Sequence, residues 1–261
     1  MWPLPPMNPP LAHWQGKHVW LVGASSGIGL ACANALAQAG ARVAVSARNA
    51  AALQRWCSQH PGSLAVPFDV TDAPATAEAA QQVLAQYPGL DLVVYCSGHY
   101  QAQRATALDP IQVQRHMDIN YLGAVRVLHA VLPRLLEQGH GHVSLVSSVA
   151  AWRGLPLALA YGPSKAALSH LGEVLYQDLR PLGLGVSVVH PGFVQTPLTA
   201  NNRFHMPGLM QPEQAAQRML RGWAKGRMNI HFPKRLSWVL LLLRVLPARW
   251  AMALIRRTTT G

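Results

Sequence analysis

The feature that most restricts the fold is a series of short apolar runs separated by helix-length segments. HVWLV (18–22), RVAVSA (42–47), LAVPFDV (64–70), DLVVYCSG (91–98), HVSLVSSV (142–149) and GVSVVHPG (185–192) recur from Lys17 onward. Between them lie alanine-rich or amphipathic stretches such as IGLACANALAQAG and AALQRWCSQH, long enough for crossover helices. Strands alternating with helices build a parallel sheet. Such strands are covered on both faces and so read as nearly continuous apolar runs. The expectation is an α/β chain with a doubly wound parallel sheet, a single domain over residues 17–235. A proline-rich arm, 1–16, would lie extended on its surface, and an apolar, basic segment, 236–261, follows it.

The first run ends in a glycine turn, VGASSGIG, that leads directly into a helix. Gly23, Gly27 and Gly29 allow a sharp turn and a close backbone approach, while the helix offers free N–H groups and the positive end of its dipole. That combination binds pyrophosphate at the carboxyl edge of a Rossmann-like sheet, although the GxxxGxG spacing differs from the general GxGxxG dinucleotide fingerprint. The end of the second strand selects the adenosine. A free ribose 2′-OH calls for Asp or Glu there, and a 2′-phosphate for Arg. The residues present are Ala47 and Arg48, which points to NADP(H) over NAD(H), with Arg48 in a charge-assisted pair to phosphate.

Downstream, LALAYGPSKAAL sets Tyr161 and Lys165 four residues apart, with Pro163 between them. Proline inside a helix costs about 3 kcal/mol except in the first turn, so the helix is expected to begin near Tyr161. Ser147 and Ser148 end the preceding strand, and Ser148 and Tyr161 can converge at the carboxyl edge. A cation one turn away is expected to lower the phenol pKa and make proton transfer to or from an alcohol feasible. The serine hydroxyl would hold the substrate oxygen beside the phenol.

With these motifs in order, the sequence resembles the short-chain dehydrogenases/reductases, from about Lys17 to Thr196. VGASSGIG, FDV at 68–70, DIN at 118–120, VSLVSS, YGPSK and HPGFVQT carry the resemblance. It implies Ser148 as substrate anchor, Tyr161 as general acid–base and Lys165 as phenol activator and nicotinamide-ribose contact. Asn120 would hold a backbone and water arrangement for proton relay. Implied cofactor contacts are Gly23, Ser25, Ser26, Gly27, Ile28 and Gly29 at the turn, and Asp69, Val70 and Gly98 around the adenosine side. Pro191, Gly192, Val194 and Thr196 would flank the nicotinamide, beside Asn120, Tyr161 and Lys165. The substrate would be a small carbonyl or alcohol, and a homodimer or homotetramer would form through helices at 112–138 and 161–181. Two positions depart from the pattern: Val22 stands for the usual Thr, and YCSG (95–98) replaces NNAG.

After Thr196, a lid over about 196–212 carries Leu198, Phe204, Met206, Leu209 and Met210, which points to an apolar substrate. PEQAAQRMLRGWAKG and NIHFP read as a last helix and strand. In the tail, the longest apolar run is Trp238–Leu243, far short of the ~18 residues of a membrane span. Its tryptophans and arginines (236–257) fit either a peripheral contact with an anionic membrane or a helix over the pocket or in a subunit interface.

The 22 basic and 10 acidic residues give a formal charge of +12. Without an Lys/Arg-rich run interleaved with aromatics, this does not read as nucleic-acid binding. Cys32, Cys57 and Cys96 lack metal-ligand spacing and cannot all pair, which fits a reducing, cytoplasmic setting, peripheral at the inner membrane face if the tail docks there. His140 and His142 have no Cys or carboxylate at ligand spacing, so no metal is expected. Asp118 reads as a helix-face or capping residue. The rival reading from another class is a non-catalytic nucleotide sensor or scaffold. An epimerase or dehydratase would want a nucleotide-sugar domain that the sequence does not show.

Overall fold

A computed structural model of the chain describes residues 5–200, 202 and 206–259, with side chains to 256. Its seven strands are β1 (His18–Val22), β2 (Arg42–Ser46), β3 (Leu64–Ala65), β4 (Leu92–Tyr95), β5 (His142–Val146), β6 (Gly185–Pro191) and β7 (Asn229–Phe232). The helices are α1 (Gly27–Gln38), α2 (Ala50–Ser58), α3 (Ala73–Gln86), α4 (Pro110–Met117), α5 (Gly123–Gln138), α6 (Tyr161–Leu179), α7 (Pro212–Ala224), α8 (Lys234–Val245) and α9 (Ala248–Thr259). All strands are parallel, in the order β3-β2-β1-β4-β5-β6-β7. The order reverses between β1 and β4, the place where doubly wound sheets open a crevice.

Strand alternation accounts for the two cores. Val19, Leu21, Val43, Val45, Leu92 and Val94 point to one face, where α1, α2 and α7 cover them with Leu36, Trp56 and Trp223. Trp20, Val22, Ala44, Val93 and Tyr95 point to the other, against Val83, Val131 and Leu168 of α3, α5 and α6. Side-chain caps start the helices: Asn49, Asp72 and Asp109 each accept a first-turn N–H, at 3.0, 3.0 and 2.9 Å.

Three sequence expectations need correction. LAVPFDV contributes only Leu64–Ala65 as regular strand: Val66 and Phe68 still donate their N–H groups to the Val45 and Ala47 carbonyls, at 3.0 and 3.2 Å, but Pro67 between them has no N–H to give. The helix expected at 112–138 is interrupted by a π turn, Asp118–Leu122. The arm does not merely lie on the surface. Asn8 is buried and brackets Val186, donating to its carbonyl at 2.8 Å and accepting from its N–H at 2.9 Å, and Trp14 packs edge-on against Trp223.

β5 and β6 also bury two imidazoles, His142 and His190, and burial pushes both down to about 3. An unfolded histidine binds its proton near pH ~6.5, so below that value the unfolded chain takes up protons that the fold refuses. Stability is therefore complete above pH ~6.5 and lost as pH falls toward 3, on the order of 3 kcal/mol per histidine at pH 4. Urea midpoints should fall between neutral pH and pH 4.5. His142→Gln, which can keep a bond to Ser187, should narrow that drop; an unchanged drop would show that His142 does not carry it.

Candidate active site

A cleft of about 770 Å³ lies along the carboxyl ends of the strands. At its centre, the backbone geometry of the glycine turn sets how near anything can approach. Gly23 has φ +97°, and a Cβ there would stand 2.5 Å from the Ser97 nitrogen at the end of β4. A Cβ on Gly29 would stand 2.0 Å from the Gly23 carbonyl oxygen. Any side chain at either position would push α1 away from the sheet edge. Ser26, at the N-cap, makes no side-chain cap bond, and α1 has no acidic residue in its first turn. The first-turn N–H groups are thus available to an anion.

The predicted residues fall along the cleft in sequence. Gly23, Ser25, Ser26, Gly27, Ile28 and Gly29 line one stretch; Arg48, Asp69, Val70 and Gly98 line it also, as do Ser148, Tyr161, Lys165, Pro191, Gly192, Val194 and Thr196. Asp69 accepts from both the N–H and the hydroxyl of Thr71, which fixes its carboxylate. Among the described residues Arg48 enters no ion pair. This donor set fits a dinucleotide: a helix N-terminus free of capping, a backbone cradle that a Cβ would fill, and a guanidinium at the end of β2.

Asn120 is the exception, since it is fully buried behind the cleft wall. Its carboxamide accepts from His99 N–H at 2.7 Å and donates to His99 C=O at 3.0 Å and Ser164 Oγ at 2.9 Å. The π turn is what aims it there. Tyr95, in place of the usual amide, donates its hydroxyl to the Ile119 carbonyl in the same turn. Asp118 pairs with Arg126 at 3.0 Å, as a helix-face residue.

The Tyr161 helix begins where expected, with Pro163 in its first turn. Lys165 is 3% exposed; its ammonium donates to the Val146 carbonyl at 2.9 Å and lies 5.9 Å from the Tyr161 ring centroid. Ser147 turns away from the phenol and donates to the Lys165 carbonyl at 2.8 Å, while Ser148, which accepts from Ala150 N–H at 3.1 Å, stands close enough to the Tyr161 phenol to act on its ionisation. The ionisation differs from the sequence expectation. Burial pushes the phenol up to about 12, against the lowering pull of Ser148, and burial pushes Lys165 down to about 8. Burial is the largest influence on both groups, and on the phenol it acts against the lowering that a neighbouring cation would give.

Two aromatic neighbours of Tyr161 carried no signal in the sequence. Tyr100 stands edge-on to Tyr161 at 5.2 Å between centroids, and His116 edge-on at 6.4 Å. His116 accepts from Gln101 N–H through Nε2 and donates to Gln112 C=O through Nδ1, which makes it the neutral tautomer. Tyr100 follows Gly98 by two residues at the end of β4, and only that placement could have marked it. Of the five lid residues, Leu198 lines the cleft, and Phe204 lies outside the described residues. Met206 is half-buried and Leu209 is exposed. Met210 pairs with Val194 and packs into the core beside α1 and α7. Cys32, Cys57 and Cys96 are free thiols, and the described residues contain no metal-ligating cluster.

The family model for short chain dehydrogenase matches residues 17–206. The chain belongs to the short-chain dehydrogenase/reductase family, whose members are oxidoreductases that use a nicotinamide cofactor. It is 40% identical over 241 residues to an uncharacterized oxidoreductase of Myxococcus xanthus, covering 91% of this chain and 95% of that one. It is also 32% identical to the dehydrogenase/reductase SDR family member 7B of Danio rerio, over 72% of this chain and 64% of the fish protein. A short-chain dehydrogenase from Streptomyces avermitilis superposes with a TM-score of 0.83 at 25% identity, covering 95% of this chain and 99% of that one.

Tyr95 and Gly123 form a pair that sequence comparison by motif would miss. A Cβ on Gly123 would stand 2.3 Å from the Tyr95 hydroxyl and 3.1 Å from Val70. Gly123→Ala should cost about 1–3 kcal/mol by overpacking. Combined with Tyr95→Phe, which removes the clashing oxygen, it should cost less than the sum of the two single changes. Urea unfolding of the three variants measures this; strict additivity would show that the two residues do not meet.

Proposed function

We propose that the protein is an NADP(H)-dependent oxidoreductase that moves hydride between nicotinamide and a carbonyl or alcohol carbon, with Tyr161 as general acid–base. The observation that carries this reading is the meeting of Tyr161 and Ser148 inside the cleft that the glycine turn opens onto. A nicotinamide bound there supplies or takes up the hydride. Ser148 holds the substrate oxygen, and Tyr161 delivers or removes its proton. Lys165, anchored on Val146, keeps the phenol's helix registered to the end of β5 and presents a charge to the ribose. Asn120 acts through the His99 backbone and Ser164, as a positioning residue. Arg48 supports NADP(H), because it brings a guanidinium and no carboxylate to the end of β2. The three free thiols favour a reducing, cytoplasmic setting, and association into a dimer or tetramer would use α4–α5 and α6.

The raised phenol sets how the rate in each direction depends on pH around neutrality. Tyr161 carries its proton there and is ready to give it to the alkoxide that forms as hydride reaches a carbonyl. Alcohol oxidation needs the deprotonated form and so should accelerate about tenfold per pH unit above neutrality, while reduction stays level. Initial rates in both directions from pH 6 to 9 check this; oxidation that is already level at pH 7 would contradict it.

Two substitutions test the reading itself. Tyr161→Phe should lower turnover by at least about 10²-fold, with NADPH affinity retained, in a carbonyl panel followed at the NADPH absorbance. Normal turnover would overturn the mechanism, and an inert wild-type protein that still binds NADPH would favour the sensor reading. Arg48→Ala should raise KM for NADPH by about tenfold or more and leave NADH unchanged. Equal effects on both cofactors would remove Arg48 from the 2′-phosphate.

A further inference from the structure

The helical hairpin of α8 and α9 is apolar on both of its faces, which a protein surface rarely tolerates without a partner. One face is accounted for. Leu240, Leu243, Ala251 and Ile255 are buried against Val149, with Trp152, Leu155, Leu236 and Leu246 packed around them. Arg153 donates to the Leu246 carbonyl at 3.3 Å, and a Cβ on Gly192 would stand 2.9 Å from Leu236. The hairpin is thus seated on the segment that follows Ser148 and on the Pro191–Gly192 side of the cleft.

The opposite face is open. On α8, Trp238, Val239, Leu242 and Val245 are 62%, 56%, 60% and 78% exposed. Their spacing of i, i+1, i+4 and i+7 places them on one stripe. Trp250 on α9, 57% exposed, adds a second large aromatic. Around the stripe the charge has one sign. Lys234, Arg235, Arg244 and Arg249 are exposed, and no Asp or Glu follows Glu213 in the sequence. Arg249 also lies over the Trp250 ring at 5.4 Å.

We propose that this face is a docking surface for an anionic lipid bilayer, with the hairpin lying in the plane of the headgroups. Exposed tryptophans and aliphatics would enter the headgroup–acyl boundary while the arginines pair with lipid phosphates. The charge argument decides against a second copy of the chain. A two-fold contact sets the same patch against itself, and would bring the cations of this hairpin against one another with no carboxylate in the segment to neutralise them. No helix among the described residues is long and apolar enough to cross a membrane, so the contact is peripheral. Because the inner face of the hairpin is bound to the cleft walls, docking would hold the active-site cleft beside the bilayer. That is the arrangement a reductase of membrane-dissolved carbonyl compounds requires, and this last step rests on the oxidoreductase reading; the docking itself does not.

The experiment is co-sedimentation of the full chain with phosphatidylcholine vesicles, with and without phosphatidylglycerol. The wild type should pellet with the anionic vesicles and remain in solution with the zwitterionic ones. Replacing Trp238, Leu242 and Val245 together by Ser should weaken partition by about tenfold or more. Arg235→Glu with Arg244→Glu and Arg249→Glu should weaken it at least as much. These side chains are exposed, and circular dichroism and NADPH titration verify that the variants fold. Equal partition of wild type and serine variant would overturn the proposal, since binding would then be a non-specific effect of the net charge. A wild-type dimer that the serine variant converts to monomer in sedimentation velocity would assign the face to a second copy instead. Partition is read without turnover, so an inactive enzyme that still docks, or an active one that does not, separates this proposal from the catalytic reading.

Discussion

Much of the site depends on two hydrogen bonds that clasp Lys165 to the end of β5. Its ammonium donates to Val146 C=O and its own carbonyl accepts from Ser147 Oγ. A charge this deeply buried needs such partners, because an unpaired ammonium in a low-dielectric interior costs several kcal/mol. The clasp fixes the first turn of α6 against the strand, and with it the position of Tyr161 beside Ser148. Burial sets the ionisation of both groups, pushing the amine down to about 8 and the phenol up to about 12.

The other end of the cleft is organised by the absence of side chains. Gly23 and Gly29 let α1 sit on the sheet edge closely enough for its first-turn N–H groups to face the crevice at the β1–β4 reversal. The two departures from the family pattern are absorbed by packing. Val22 joins the core on the α3, α5 and α6 side. Tyr95 replaces an amide by a longer reach, tying β4 to the π turn through Ile119, and Gly123 leaves the space that the Tyr95 hydroxyl requires. The π turn then aims Asn120 at His99 and Ser164, one layer behind the residues that line the cleft.

The strand series, the glycine turn and the start of α6 were legible in the sequence because each rests on local physics: two-sided burial, backbone freedom and proline at a helix start. Arg48 and Ser148 were legible because a parallel sheet gathers its strand ends. Less was visible where the outcome depends on what meets across the fold. The fully buried Asn8 looked like part of a surface arm, and its bonds to Val186 depend on a strand far along the chain. Met210 looked like a lid residue and joins the core, because pairing with Val194 turns it inward. Tyr100 and His116 reach Tyr161 from other elements, with no spacing to reveal them. The phenol's ionisation was misjudged for the same reason. Residue spacing conveys that a lysine is near, but not that burial outweighs it.

The central claim is that burial raises the Tyr161 phenol above the ordinary tyrosine value, so that no neighbouring charge brings its ionisation toward neutrality. It is tested most directly by spectrophotometric titration of the free protein at the phenolate absorbance, wild type against Tyr161→Phe. The two titrations should coincide through neutrality and separate only in the strongly alkaline range, with Tyr161 ionising near 12. A wild-type phenolate signal that rises near pH 8 and is absent from the variant would contradict the account.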